Sequence, residues 1–414
     1  MKIAIVDSNY ADNKFIGLSA SWLHWELNKL GVYPSNADNA NIILVTVSSQ
    51  QGIGDVKRRL NKINNKNAKV ILGGGGCYAP AVFNDIADAI CVGEGRNFIN
   101  TLVQKSYEDA CQLPNVWIPG EDRTVIPDIG FPWECPPLLH PDGTIRLFAA
   151  RGCKSKCLFC QTGWQSPYIV NPNTDLLKYQ FNYQKQLGKR VALVTNNGVD
   201  NLMMGSGGHE FLSLRLAGIK KLLEQKTISR KVVKSVRIGV EGLSERLRMA
   251  VSKPISNEDL FNCSVDLLSK GIGVTWFFIT GLPNETEDDY LEFRETIKAL
   301  KTIKKGVVMM TFHAFIPQPA TPLSVLPLID NYWEWFDEFR RWFFHGPGFT
   351  SHVQIVTPAK YPGRIKRAME SMGTDEVNLR RGWFDHDNEN WRVEYLKPPA
   401  KLREIAKKYQ LRFM

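Results

Sequence analysis

Short apolar runs alternate with longer helical stretches along most of this chain, and that alternation leaves few folds open to it. Lys2-Ile-Ala-Ile-Val6, Asn41-Ile-Ile-Leu-Val-Thr46, Ala68-Lys-Val-Ile-Leu72 and Ala89-Ile-Cys-Val92 read as buried-type strands. Between and after them, Leu18 to Leu30, Gly54 to Ile63 and the segment from Gly93-Glu-Gly95 through Leu102 read as helices. Strands that alternate with helices predict a parallel, doubly wound α/β sheet over residues 1–105. A second alternation begins at Thr144-Ile-Arg-Leu-Phe-Ala149 and continues through Arg190-Val-Ala-Leu-Val-Thr195, Ser235-Val-Arg-Ile-Gly-Val240, Gly273-Val-Thr-Trp-Phe-Phe-Ile279 and Gly306-Val-Val-Met-Met-Thr-Phe312. Units of this length predict a partial (β/α) barrel over residues 144–325, with its site at the C-terminal strand ends. Residues 106–143 carry seven prolines and read as an irregular linker. Residues 326–414 form an aromatic and basic C-terminal extension.

At 414 residues the chain exceeds one ordinary core, in keeping with two or three domains. It lacks both a signal-peptide pattern and a run of apolar residues long enough to span a bilayer, so a cytoplasmic protein without membrane contact is expected. Of its eight cysteines, Cys77, Cys91, Cys111, Cys135 and Cys263 are scattered rather than spaced as a disulfide framework. The net charge of +10 suits an anionic substrate or nucleic acid, although many soluble proteins are as basic. In residues 351–414, 13 Lys or Arg stand against 8 Asp or Glu, interleaved with Tyr361, Trp383, Trp391 and Tyr395. Such a segment suits a nucleic-acid strand or a solvated helix face equally. Upstream, Trp335, Phe336, Phe339, Trp342 and Phe343 repeat at helical spacing, as a packing face does.

The remaining cysteines are clustered, in Arg151-Gly-Cys153-Lys-Ser-Lys-Cys157-Leu-Phe-Cys160. A cube-type iron–sulfur cluster normally takes four thiolates. A loop that offers three leaves one iron open to a substrate or cofactor. A structural zinc site, which needs a fourth protein ligand, and buried structural cysteines are the competing readings.

The C-x3-C-x2-C spacing, with aromatic Phe159 before the last cysteine, resembles the cluster loop of the radical S-adenosylmethionine (SAM) superfamily. Later segments carry the likeness further. Ile238-Gly-Val-Glu241-Gly-Leu-Ser244-Glu245-Arg246 is similar to its Glu-Ser-Gly-Ser-Glu strand end, with Gly242 and Leu243 at the centre, and Ser252-Lys253-Pro-Ile-Ser-Asn257 follows as a helix-capping segment. Phe278-Ile-Thr-Gly281-Leu-Pro283-Asn-Glu285-Thr286 resembles its Gly-Leu-Pro-Gly-Glu-Thr turn, and Phe315-Ile-Pro317-Gln-Pro319-Ala-Thr321-Pro322 its barrel exit. Val70-Ile-Leu-Gly73-Gly74-Gly75-Gly76 with Asp88-Ala-Ile-Cys-Val-Gly93-Glu-Gly95 looks like the cobalamin-binding-type Rossmann domain of one branch.

The resemblance implies a [4Fe-4S] cluster on Cys153, Cys157 and Cys160, with SAM chelating the fourth iron and cleaved reductively to a 5′-deoxyadenosyl radical. It assigns Phe159, Glu241 and Ser244 to SAM, Glu241 as a ribose ligand. Asn196 and Asn197 of Thr195-Asn-Asn-Gly198 stand where a Gly-Gly-Glu motif would hold the SAM amino group; as Asn-Gly they also read as a turn. Gly73, Gly74, Gly75 and Gly93 are assigned to cobalamin. The histidine motif for cobalt is absent and His24 lies on a Trp-rich helix, so both a cobalamin without a protein histidine and an empty domain remain open. An electron donor such as a flavodoxin or ferredoxin is implied, and methyl transfer is the favoured outcome. A methylthiotransferase-like enzyme is the alternative, disfavoured because only Cys77 matches the extra cysteines of that group's N-terminal domain. A cobalamin-free radical rearrangement enzyme and a non-catalytic iron–sulfur sensor or binding protein are further readings. Arg151, Lys154 and Lys156 would soften the cluster's charge or simply be solvated. Glu285 and Thr286 are expected to cap a helix, and Trp164, Tyr168, Trp276 and His313 to face the barrel mouth.

Overall fold

The computed structural model describes residues 1–7, 18–47, 53–121 except 79, 123, 125–130, 138–139, 144–165, 168–194, 209–231, 233–300, 306–315, 321–325 and 353–355. The aromatic segment 332–344, most of the basic C-terminal region, and Asn196 and Asn197 lie outside them. The chain divides into two compact units. Among the described residues, the first holds residues up to Cys153 and 161–194, and the second holds Lys154–Cys160 and residues from 209 onward.

The first unit opens with β1 (Ile3–Asp7), α1 (Leu18–Lys29), β2 (Ile42–Thr46), α2 (Ile53–Asn61), β3 (Lys69–Gly73), β4 (Ala89–Cys91), α3 (Arg96–Gln104), α4 (Tyr107–Cys111) and β5 (Val116–Trp117). The strands lie in the order β1-β2-β3-β4-β5, the first four parallel and β5 antiparallel to β4. Every residue of β2 is buried, as a strand covered on both faces requires. The chain leaving α1 first passes along the outer edge of β1, where the Ser35 amide donates to the Ile3 carbonyl at 2.7 Å, and then returns to pair as β2 on the other side. The strands themselves follow chain order with β1 at the edge, and open parallel sheets of this kind bind ligands outside the carboxyl ends of their strands. Ile3, Leu27, Leu44, Ile71, Phe98, Ile99, Leu102 and Val116 pack one core. The stretch read as irregular linker is more ordered than expected. Ser106 caps α4 by accepting from the Asp109 amide, and β5 and β6 (Leu138–Leu139) both fall within it.

The unit continues with β7 (Thr144–Phe148), β8 (Ala150–Arg151), α5 (Gln161–Gln165), β9 (Ile169–Val170), α6 (Thr174–Gln186) and β10 (Arg190–Val194). β10 pairs parallel with β7, β6 antiparallel with β7, and β8 antiparallel with β9.

The second unit holds β11 (His209–Leu214), α7 (Leu216–Glu224), β12 (Val233–Glu241), α8 (Glu245–Ala250), α9 (Asn257–Ser269), β13 (Gly273–Thr280), α10 (Glu287–Leu300), β14 (Val308–Ala314) and β15 (Val353–Ile355). β11 to β15 form one parallel sheet in chain order. The strands expected in a single partial barrel are thus shared between two sheets, and no pairing among the described residues joins β10 to β11. β13 alternates strictly. Val274, Trp276, Phe278 and Thr280 are buried, whereas Gly273, Thr275, Phe277 and Ile279 are partly open. Phe278 packs edge-on to Trp276 and Phe293 and stacks on Phe312, so one face of the sheet is a dense aromatic layer against α10. The other face carries the polar positions described below. No helix among the described residues is long and apolar enough to cross a membrane.

Candidate functional site

In the second unit, the turn Cys157–Cys160 is pinned by backbone. The Cys160 amide donates to the Cys157 carbonyl at 3.2 Å, the Leu158 amide to Val251 at 3.1 Å, and the Leu323 amide to the Leu158 carbonyl at 3.2 Å. Leu158 and Cys157 are buried, while Phe159 and Cys160 are half-open. Burial pushes the Cys157 thiol up, and the cations Lys253 and Arg215 pull it back down. Nearby cations are what a thiol needs to serve as a thiolate ligand. Cys153 is half-exposed and belongs to the first unit. Among the described residues no three His, Cys, Asp or Glu side chains gather as ligands of a single ion. A cube holds its irons at separate corners and calls for no such convergence.

Glu241 closes β12 with φ of +72°, a left-handed conformation that non-glycine residues rarely adopt. The register against β13 shifts between Gly239 and Glu241, so the strand end is bulged and its carboxylate re-aimed. Glu241 Oε1 accepts from Lys253 Nζ at 3.2 Å, and both side chains are largely buried, at 15% and 11% exposure. A Cβ at Gly239 would overlap Glu241 Oε1 and stand 3.2 Å from Lys253 Nζ, so that glycine makes room for the pair. Lys253, read from sequence only as part of a capping segment, therefore joins Glu241 to the surroundings of Cys157. One oxygen of Glu241 remains to accept from a ribose hydroxyl.

Ser244, expected beside the cofactor, is fully buried. Its hydroxyl caps α8 by accepting from the Leu247 amide at 3.0 Å and donates to buried Asp289. Asp289 also accepts from Arg246 and from the Thr286 amide at 2.7 Å. Glu285 is not a helix cap. It is buried, accepts from the Gly281 and Leu282 amides and from Tyr290 Oη at 2.6 Å, and so fixes the Gly-Leu-Pro turn. Burial pushes its carboxyl up to about 7 against the pull of those three donors. Of Ser256 and Asn257, Ser256 is the α9 cap, accepting from Asp259. Asn257 bridges buried Arg248 and Glu292.

Trp276 does not face an open site. It is wholly buried, its indole donating to Ser264 Oγ at 3.0 Å. Its neighbours in β13 and β14 do: Phe277 and His313 are half-open on the opposite face, rings near-parallel with centroids 5.8 Å apart. Burial draws the His313 imidazole down, leaving it neutral at pH 7. Register sets Phe277 beside Gly239 and hence beside the Glu241–Lys253 pair.

In the first unit, the glycines assigned to a cofactor divide. Gly74 (φ +108°) and Gly93 (φ +93°) lie against protein. A Cβ on Gly74 would stand 2.6 Å from the Val47 carbonyl, and one on Gly93 would overlap the Asp128 backbone. Gly73 is half-open and Gly75 exposed, beyond the end of β3. Around the same strand ends, Thr46 Oγ1, Glu94 Oε1 and Trp22 Nε1 are buried without hydrogen-bond partners. Buried polar groups are rarely left so, and a polar ligand at this edge would satisfy them. His24 is half-buried on α1, where burial draws its pKa down.

No protein-family model matches the chain. A tRNA-2-methylthio-N(6)-dimethylallyladenosine synthase of Sulfurihydrogenibium sp. is 20% identical over 347 residues, 74% of this chain and 75% of its own length. The solved structure of TsrM from Kitasatospora setae, a radical SAM methyltransferase with tryptophan substrate and a SAM analogue, superposes with a TM-score of 0.56 at 13% identity over 99% of both chains. The cobalamin-dependent SAM radical enzyme OxsB, with aqua-cobalamin and SAM bound, gives 0.56 at 11% identity over 99% of this chain and 75% of its own. The chain has the fold of the cobalamin-dependent radical SAM enzymes. At these identities the likeness speaks for the fold, and the residues above must carry the chemistry.

Proposed function

We propose that the chain is a radical SAM enzyme in which Cys153, Cys157 and Cys160 hold a [4Fe-4S] cluster and SAM binds the remaining iron. The cluster would supply the electron that cleaves SAM to a 5′-deoxyadenosyl radical, for chemistry at an unactivated carbon. The observation that carries this reading is the Glu241–Lys253 pair set beside Cys157 at the end of β12. In it, Glu241 accepts the ribose hydroxyls, Lys253 holds that carboxylate in place, and both cations near Cys157 favour its thiolate. Phe159 and the open face of β13 and β14 border the bound nucleoside, and a flavodoxin or ferredoxin delivers the electron.

The first unit fits cobalamin at the carboxyl ends of its strands, where Gly73 and Gly75 leave space and the unpartnered groups offer polar contacts. The sequence motif that supplies a histidine to cobalt is absent, so cobalamin would be held by the glycine turn and these polar groups, and it would supply a methyl carrier. Methyl transfer is accordingly the favoured net reaction.

Methylthio transfer is the second reading, favoured by the synthase relative. Against it, Cys77 is fully buried and its thiol is pushed well up by that burial and by Cys91, which ill suits a ligand of a second cluster.

Oxygen-free reconstitution followed by iron, sulfide and cobalt analysis tests the scheme. About four irons per chain, 5′-deoxyadenosine on reduction with SAM, and loss of both in Cys157→Ala are expected. About eight irons would favour the second reading, and zinc or no metal would refute both.

A further inference from the structure

Arg151 opens the cluster loop, yet its guanidinium does not behave as a solvated charge. One terminal nitrogen donates to the Gly130 carbonyl at 2.6 Å and the other to Tyr78 Oη at 3.3 Å. Tyr78 is 3% exposed and lies just past the glycine-rich turn that follows β3. Gly130 is itself held, its amide donating to Asp128 Oδ1 at 2.8 Å. Asp128 in turn accepts from Asn97 of α3 at 3.0 Å and from the Glu94 amide at 2.9 Å. The arginine thus ends a polar chain that runs through the linker to the strand ends of the N-terminal sheet. Two residues after it comes Cys153, across Gly152 in a left-handed conformation.

We propose that Arg151 is a positioning residue: its two-point fork onto Tyr78 and Gly130 anchors the cluster loop's first cysteine to the glycine-rich turn of the N-terminal sheet. This rests on the cluster assignment made above, but the contacts themselves do not. A guanidinium spans two acceptors in fixed geometry, which a single ammonium does not reproduce. Lysine therefore separates the fork from a pure charge effect. If Arg151 acted through its charge, Arg151→Lys would match the wild type.

The test compares Arg151→Lys, Arg151→Met and Tyr78→Phe in the full chain. In the reconstituted protein, iron release to a ferrous chelator and the electron paramagnetic resonance spectrum of the reduced cluster are measured. Both arginine variants are expected to release iron several-fold faster with an altered spectrum, and Tyr78→Phe to fall between them and the wild type. In the metal-free chain, amide hydrogen exchange of peptides 73–80 and 144–152 is followed, and both segments should exchange faster in all three variants. Arg151→Lys and Tyr78→Phe indistinguishable from wild type in exchange would overturn the proposal, even if Arg151→Met failed to fold. A wild-type chain that binds no cluster would defeat the functional reading, while the exchange measurements would still decide the fork.

Discussion

Replacing Gly93 by alanine separates two roles that a glycine after a strand can have. Gly93 sits at φ +93°, and an added Cβ would overlap the Asp128 carbonyl oxygen and stand 2.7 Å and 2.9 Å from its nitrogen and carbonyl carbon. These are backbone atoms, held by the hydrogen bonds from Asp128 to Val92 and from Glu94 to Asp128, so they cannot swing aside as a side-chain tip would. An L-residue in the left-handed region costs about 1–2 kcal/mol, and forcing an extra methyl into packed surroundings costs about 1–3 kcal/mol more. Gly93→Ala should therefore lose about 2–5 kcal/mol. Gly120→Ala is the matched control: its φ is +82°, but nothing lies within 4 Å of the added carbon, so only the conformational cost of about 1–2 kcal/mol applies. Guanidinium unfolding followed by tryptophan fluorescence reads the difference, since Trp117 lies in β5 and the Trp22 ring of α1 packs beside Gly95. Equal midpoints for the two variants would refute the steric argument. Unchanged stability with weakened binding of hydroxocobalamin would instead make Gly93 a ligand contact.

Other expectations concern the second unit. Glu285 has its carboxyl raised from 4.5 to about 7 by burial, so the folded chain holds a proton there that the unfolded chain has released. Its contribution is fully present below pH about 4.5 and fades as pH climbs to about 7, by ~3 kcal/mol in all; in Glu285→Gln that slope of stability against pH should flatten. Lys253→Met leaves the mostly buried Glu241 carboxylate without its cation and should destabilise by about 3–5 kcal/mol, with the double variant Lys253→Met/Glu241→Met recovering part of the loss in a double-mutant cycle. Ser244→Ala removes an N-cap worth ~1 kcal/mol and a donor to buried Asp289 worth about 1–3 kcal/mol. Calorimetry with SAM should find its affinity unchanged, whereas Glu241→Gln should bind SAM several-fold more weakly and, by leaving the buried Lys253 ammonium without its counter-charge, should lose stability as well.

The alternation of the first ninety residues was readable because each strand is a compact apolar run and each helix spans several turns; Leu18 to Leu30 was expected as helix and α1 ends at Lys29. β5 and β6 were not readable, since two-residue strands have no period. The passage of Ser35 outside β1 rests on its amide and its hydroxyl both donating to the Ile3 carbonyl, contacts that no local sequence pattern announces. In β13 the run Trp276-Phe277-Phe278-Ile279 is apolar at both parities, so nothing local says which pair faces the core, and Trp276 was assigned to the wrong side. Gly74 and Gly93 show a related ambiguity, because a glycine that admits a ligand and one that admits another backbone are the same residue. The cysteine loop and Glu241 were legible as local motifs. Lys253, twelve positions further on, meets Glu241 only after α8 has turned the chain back.

The strict alternation of β13 also bears on how such a protein can diversify. Trp276 and Phe278 at its even positions are locked into an aromatic stack, while Thr275, Phe277 and Ile279 alternate onto the more open face. If that open face borders the reactant, as proposed, exchanges at these odd positions would reshape what is accommodated without disturbing the layer beneath, and descendants of one scaffold would acquire new reactants by few, nearly independent steps.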